Sequence, residues 1–82
     1  MLKEKNINDF TALSAVTVAK GIDVSYSKAN YICKMIRATY YDFYEEEFNE
    51  IKYGKKSICF KHLVEYTSIP VEIIRKNLQF ES

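Results

Sequence analysis

The side chains best suited to chemistry in this sequence are cations and an amide gathered along one stretch. Between Ser25 and Tyr41 stand Lys28, Lys34 and Arg37, a block of +3 with no acid, and Asn30 lies between the lysines. Asn pairs with adenine in bidentate fashion, and Lys reaches guanine or a phosphate, so the combination suits duplex nucleic acid. Residues 51–61 hold Lys52, Lys55, Lys56 and Lys61, a block of +4 again without an acid. Between the two, residues 42–50 hold Asp42, Glu45, Glu46, Glu47 and Glu50 and no base, a block of −5. The total charge of +1, from 12 Lys/Arg and 11 Asp/Glu, therefore hides a segregated distribution. It predicts modest non-specific affinity for phosphate and a two-faced surface.

Other chemistries lack their residues. His62 is the only histidine, and Cys33 and Cys59 form no CxxC pair, so Cys and His cannot supply four zinc ligands. Two reduced, buried thiols are expected, with one disulfide as the alternative. Glu45, Glu46 and Glu47 are consecutive, so on a helix they point around the axis and cannot converge on one atom. They read as a solvated face, open to a basic partner. His62 is expected on the surface where a hairpin meets a helix, with no nucleophile beside it. Neither GxGxxG nor GxxxxGK[ST] occurs. No catalytic residue, metal, cofactor or small-molecule substrate is expected, and the chain does not read as an enzyme. The aromatic run of Tyr40, Phe43, Tyr44 and Phe48 suits core packing or a dimer contact better than base stacking, because its five acids repel phosphate. No run of ~18 apolar residues is present to span a membrane. The charged start, Met1 to Asn6, does not resemble an export signal, so a cytoplasmic location is expected.

These residues must be held by a small fold. With 82 residues, 48% of them apolar and only two Gly and one Pro, the chain reads as one domain over 1–82, with 1–7 disordered. A first helix is expected from a cap at Asn8, stapled by Ile7, through Phe10, Leu13, Val16 and Ala19 to Ile22. A second is expected from Ser25, burying Ala29, Ile32, Cys33, Ile36 and Tyr40 and running on toward Phe48. Alternation on both sides of Gly54 favours a short β-hairpin over 50–60 rather than a helix. A short helix over 61–67 and a last one after Pro70, burying Val71, Ile74 and Leu78, complete the chain.

Within this frame, residues 18–33 hold a specific pattern. Ala19 is small where two helices would cross, and Asp23 tolerates a left-handed turn. Ile22 and Val24 anchor the turn on both sides, Ser25 caps the next helix, and Ala29, Ile32 and Cys33 continue the inward face. The stretch resembles the helix-turn-helix of bacterial DNA-binding proteins. The order helix, turn, helix, hairpin with a basic Gly tip, then Lys61 to Tyr66, resembles the excisionase group of winged helix-turn-helix proteins over about residues 9–67. The longer second helix with its acidic extension, and the helix after Pro70, depart from a compact excisionase. The expected fold is mainly α: helix-turn-helix with a short β-hairpin wing and extra C-terminal helices.

The resemblance implies a DNA-bending directionality factor or small regulator of a phage or mobile element. Its partners would be double-stranded DNA and an integrase or further copies of itself. The second helix, about 25–41, would be the recognition helix, presenting Tyr26, Ser27, Lys28, Asn30, Tyr31, Lys34 and Arg37 to the major groove. The wing over 51–60, with Lys52, Lys55 and Lys56, would grip phosphate. A plain two-helix corner with a solvated face is the competing structural interpretation. The competing function is a protein-interaction module, an inhibitor of a host protein acting through segment 40–50.

Overall fold

Ser14 opens the first helix, its Oγ accepting the Thr17 N–H at 3.4 Å. The computed structural model describes residues 9–79 and contains, in order, β1 (Ala12–Leu13), α1 (Ala15–Ile22), α2 (Tyr26–Thr39), α3 (Tyr41–Glu45), α4 (Glu47–Tyr53), β2 (Ile58–Cys59), α5 (Phe60–Thr67) and α6 (Val71–Gln79). The fold is mainly α, with the helix-turn-helix, a two-stranded antiparallel element and the C-terminal helices that the sequence predicts.

The first helix is shorter than predicted. Its cap is Ser14, and residues 12–13 form a strand; Ile7 and Asn8 lie outside the described residues. The later start rotates the buried face. Ala15, Val18 and Gly21 are buried, whereas Val16 is 66% exposed and Phe10 47% exposed. Small residues lie inward because α6 approaches closely there. A Cβ on Gly21 would stand 3.3 Å from Ile74 Cγ2. Asn77 Nδ2 donates to the Gly21 carbonyl at 2.8 Å, tying α6 to the end of α1.

The turn between α1 and α2 follows the predicted pattern. Asp23 is left-handed at φ 59 and ψ 56, and both its N–H and that of Val24 return to the Ala19 carbonyl. Ser25 caps α2 by accepting the Lys28 N–H at 3.2 Å. Ala29, Cys33 and Ile36 are buried, with Ile22, Val24 and Ile32 packed against the core.

The second helix does not run on to Phe48. It stops at Tyr40, whose φ of −107 and ψ of 42 break it, and a second break at Glu46 separates α3 from α4. The kinks let one aromatic run serve several packing directions. Tyr44 and Tyr53 are buried, and Phe43 packs edge-on to Tyr44.

The antiparallel pair differs from the predicted hairpin in its first strand. Residues 50–53 are helical, and β2 pairs instead with β1, Ala12 opposite Cys59 and Leu13 opposite Ile58. The pairing continues into α5: the N–H groups of Phe60 and Lys61 donate to the carbonyls of Thr11 and Asp9 at 3.0 and 2.7 Å. Two donors that a helix start leaves free are thereby satisfied by the chain before β1. Gly54, at φ 69, ends α4 and leads through Lys55 and Lys56 back toward β2. Among the described residues no helix is long and apolar enough to cross a membrane.

Candidate nucleic-acid interface

On α2, with Ala29, Cys33 and Ile36 inward, the opposite face carries Ser27, Tyr31, Lys34 and Ala38 at i, i+4, i+7 and i+11. Tyr26 and Tyr31 are 55% and 60% exposed, and Ser27, Lys28, Asn30 and Lys34 are exposed as well. The whole outward face of this 14-residue helix is free of acids.

The flank of that face meets the turn after α4. Asn30, Lys34 and Arg37 from α2 and Lys55 and Lys56 from the turn line one open cleft of about 300 Å³, with Cys33 contributing from the core side. Four cations from two distant parts of the sequence thus surround one space whose lining contains no carboxylate. Tyr26, Ser27, Lys28 and Tyr31 lie along α2 outside this cleft. Lys52 is on α4, its Nζ 5.4 Å from the centre of the Tyr53 ring.

Arg37 holds the cleft together. Its guanidinium donates to the Ser57 carbonyl and lies 4.7 Å over the Tyr44 ring. It therefore fixes the chain entering β2 against α2, a positioning role that spacing alone does not reveal. Cys33 is a buried free thiol, as is Cys59. Burial pushes the Cys33 thiol up to about 11, against a smaller downward pull from Arg37. It is protonated at neutral pH and serves as packing, not as a nucleophile.

Tyr44, under the Arg37 guanidinium, belongs to a buried polar network with His62 and Cys59. His62, expected on the surface, is buried and stacks on the Tyr40 ring at 3.9 Å. Its position on α5 turns it toward α3, because Phe60 and Leu63 on the same helix also face inward. The Tyr44 hydroxyl lies 2.7 Å from His62 Nδ1 and accepts the Cys59 N–H at 2.9 Å. Burial raises the Tyr44 pKa, so the hydroxyl keeps its proton. We assign that proton to Nδ1, since the contact to Cys59 Sγ is longer at 3.6 Å. Burial lowers the His62 pKa, Lys61 acting with it and Glu65 against it, so the imidazole is neutral at pH 7. Tyr44 is buried, in keeping with the core packing that the sequence predicts for it, whereas Phe48 is exposed. Among the described residues no group of three His, Cys, Asp or Glu side chains gathers to hold a metal ion.

No family model matches the sequence, no curated protein matches it, and no solved structure matches the fold.

Proposed function

We propose that this chain binds double-stranded DNA, with α2 as the recognition helix and the turn at 54–56 gripping phosphate. The observation that carries the reading is the acid-free cleft where Lys34 and Arg37 meet Lys55 and Lys56 beside Asn30. Cations at this spacing suit a polyanion, and the exposed polar face of α2 supplies groups that reach base edges. Tyr26, Ser27, Lys28, Asn30, Tyr31 and Lys34 are the proposed groove contacts; Lys55 and Lys56 are the proposed phosphate contacts. Lys52, on α4 and outside the cleft lining, is a further proposed phosphate contact. Arg37 contributes charge and holds the turn in place.

The biological role we propose is that of an excisionase-like directionality factor or small transcriptional regulator acting in the cytoplasm. An integrase is the proposed partner in the first case. This rests on the resemblance of residues 9–67, above all the turn from Ala19 to Cys33. The rival reading, docking of segment 40–50 on a host protein, has fewer side chains at its disposal than the sequence suggests. Tyr44 is buried and Tyr40 is stacked on His62, which leaves Tyr41 and Phe48 as the exposed aromatics. Titration of labelled duplex by fluorescence anisotropy tests the DNA reading. Affinity that falls with salt, and that drops when Lys34, Lys55 and Lys56 are replaced by Ala, supports it. Equal affinity for duplex before and after that replacement would sink it.

A further inference from the structure

The space between α2 and the turn at 54–56 is a pocket as well as part of a surface. At ~100° per residue, Asn30, Lys34 and Arg37 fall within roughly 60° of one another, so they line a single strip of α2. Lys55 and Lys56 reach the same space from the turn, and Cys33 contributes from the core side. Its volume of about 300 Å³ meets the lower end of the ~300–1,000 Å³ usual for small-molecule sites. Arg37 is already fixed there, its guanidinium donating to the Ser57 carbonyl and lying over the Tyr44 ring. A cation held in place beforehand loses little side-chain freedom when an anion arrives. No carboxylate lines the cleft to neutralise its four cations.

We propose that this cleft binds a small polyphosphate, either the triphosphate end of a nucleotide or a free phosphate chain, and that this ligand competes with DNA. Charge density selects the ligand. A backbone phosphate of a duplex is a diester with a single charge. A terminal phosphate group carries about −1.5 to −2 and offers three acceptor oxygens. A short chain of phosphates gathers several such charges in one place. Four cations around one small space exceed what one diester can neutralise and match a ligand of that density. Asn30 adds an amide that can donate to a phosphate or ribose oxygen and accept from a hydroxyl. A ligand seated here occupies Asn30, Lys34, Lys55 and Lys56, all proposed DNA contacts. The competition therefore rests on the DNA reading, whereas the binding of polyphosphate does not.

Nuclear magnetic resonance of isotope-labelled chain, titrated with tripolyphosphate at constant ionic strength and without magnesium, tests the site directly. Saturable shifts are expected at Asn30, Lys34, Lys55 and Lys56, with half-saturation on the order of 0.01–1 mM and tighter than for sulfate. Lys55→Ala should weaken binding ~10-fold. Lys76→Ala removes one exposed cation from α6, outside the cleft lining, and should leave binding within ~2-fold. A parallel titration with ATP separates the two sources. Tighter binding of ATP assigns the site to a nucleotide, and ATP binding no tighter than tripolyphosphate assigns it to the phosphate chain itself. Saturating tripolyphosphate should also release labelled duplex. Tripolyphosphate affinity no greater than that of sulfate, or equal weakening by Lys55→Ala and Lys76→Ala, overturns the proposal. Duplex binding without tripolyphosphate binding sinks this inference and leaves the DNA reading standing; tripolyphosphate binding without duplex binding does the reverse.

Discussion

At the scale of single residues, the Tyr44–His62 pair is the most informative feature. The Tyr44 hydroxyl both accepts the Cys59 N–H and faces His62 Nδ1. Removing it strands two buried polar groups, and each such loss costs about 1–3 kcal/mol. Tyr44→Phe should therefore lower stability by ~2–6 kcal/mol in urea unfolding, although the ring itself is kept. His62 adds a pH dependence. Burial holds its folded pKa below the ordinary 6.5, so the unfolded chain binds a proton where the folded chain does not. Stability is complete above that ordinary value and is lost as pH falls through it toward the folded pKa, by at most ~1.4 kcal/mol per pH unit. Unfolding curves between neutral pH and pH ~5 should show this loss, and His62→Gln should flatten it. An unchanged slope in that variant would assign the acid sensitivity to other groups.

At the scale of elements, two contacts position the candidate interface. The seam of α1 against α6 depends on Gly21, where a Cβ already comes within 3.3 Å of Ile74. Gly21→Leu should cost about 1–3 kcal/mol through overpacking, despite the higher helix propensity of Leu. The join between α2 and the turn depends on Arg37, which donates to the Ser57 carbonyl and covers Tyr44. Arg37→Ala should lower both stability and DNA affinity, whereas Lys55→Ala should lower affinity alone. Thermal unfolding beside anisotropy separates the two. The elements differed in how far the sequence revealed them. The turn from Ala19 to Ser25 was legible because each position obeys a local rule: a small residue, a left-handed Asp, a cap. The start of α1 was not, because the apolar spacing of Phe10, Leu13 and Val16 imitates a helix while residues 12–13 pair with β2. That pairing is set by a segment more than forty residues away, which no local pattern reports. The same distance hid the true partner of Ile58–Cys59 and made residues 50–53 look like a strand.

At the scale of the whole molecule, basic residues that the sequence places in separate blocks meet at one acid-free cleft. The candidate groove contacts on α2 were legible as a run of exposed polar residues. Their meeting with Lys55 and Lys56 at one cleft was not, since it depends on the two helix breaks at Tyr40 and Glu46 and on the return of the chain at Gly54. The acids of residues 42–50 lie on α3, on α4 and at the break between them, and none of them lines the cleft. A surface arranged this way predicts binding that is electrostatic and strongly dependent on salt, despite the net charge of +1.

The most direct measurement is the salt dependence of duplex affinity for the parent chain and for the Lys34→Ala, Lys55→Ala, Lys56→Ala variant. Each phosphate contact contributes about 0.9 to the slope of log affinity against log salt, so the variant should lose up to ~3 from the slope while unfolding at the same urea concentration as the parent. An unchanged slope, or a parent chain with no affinity for duplex at low salt, would contradict the account.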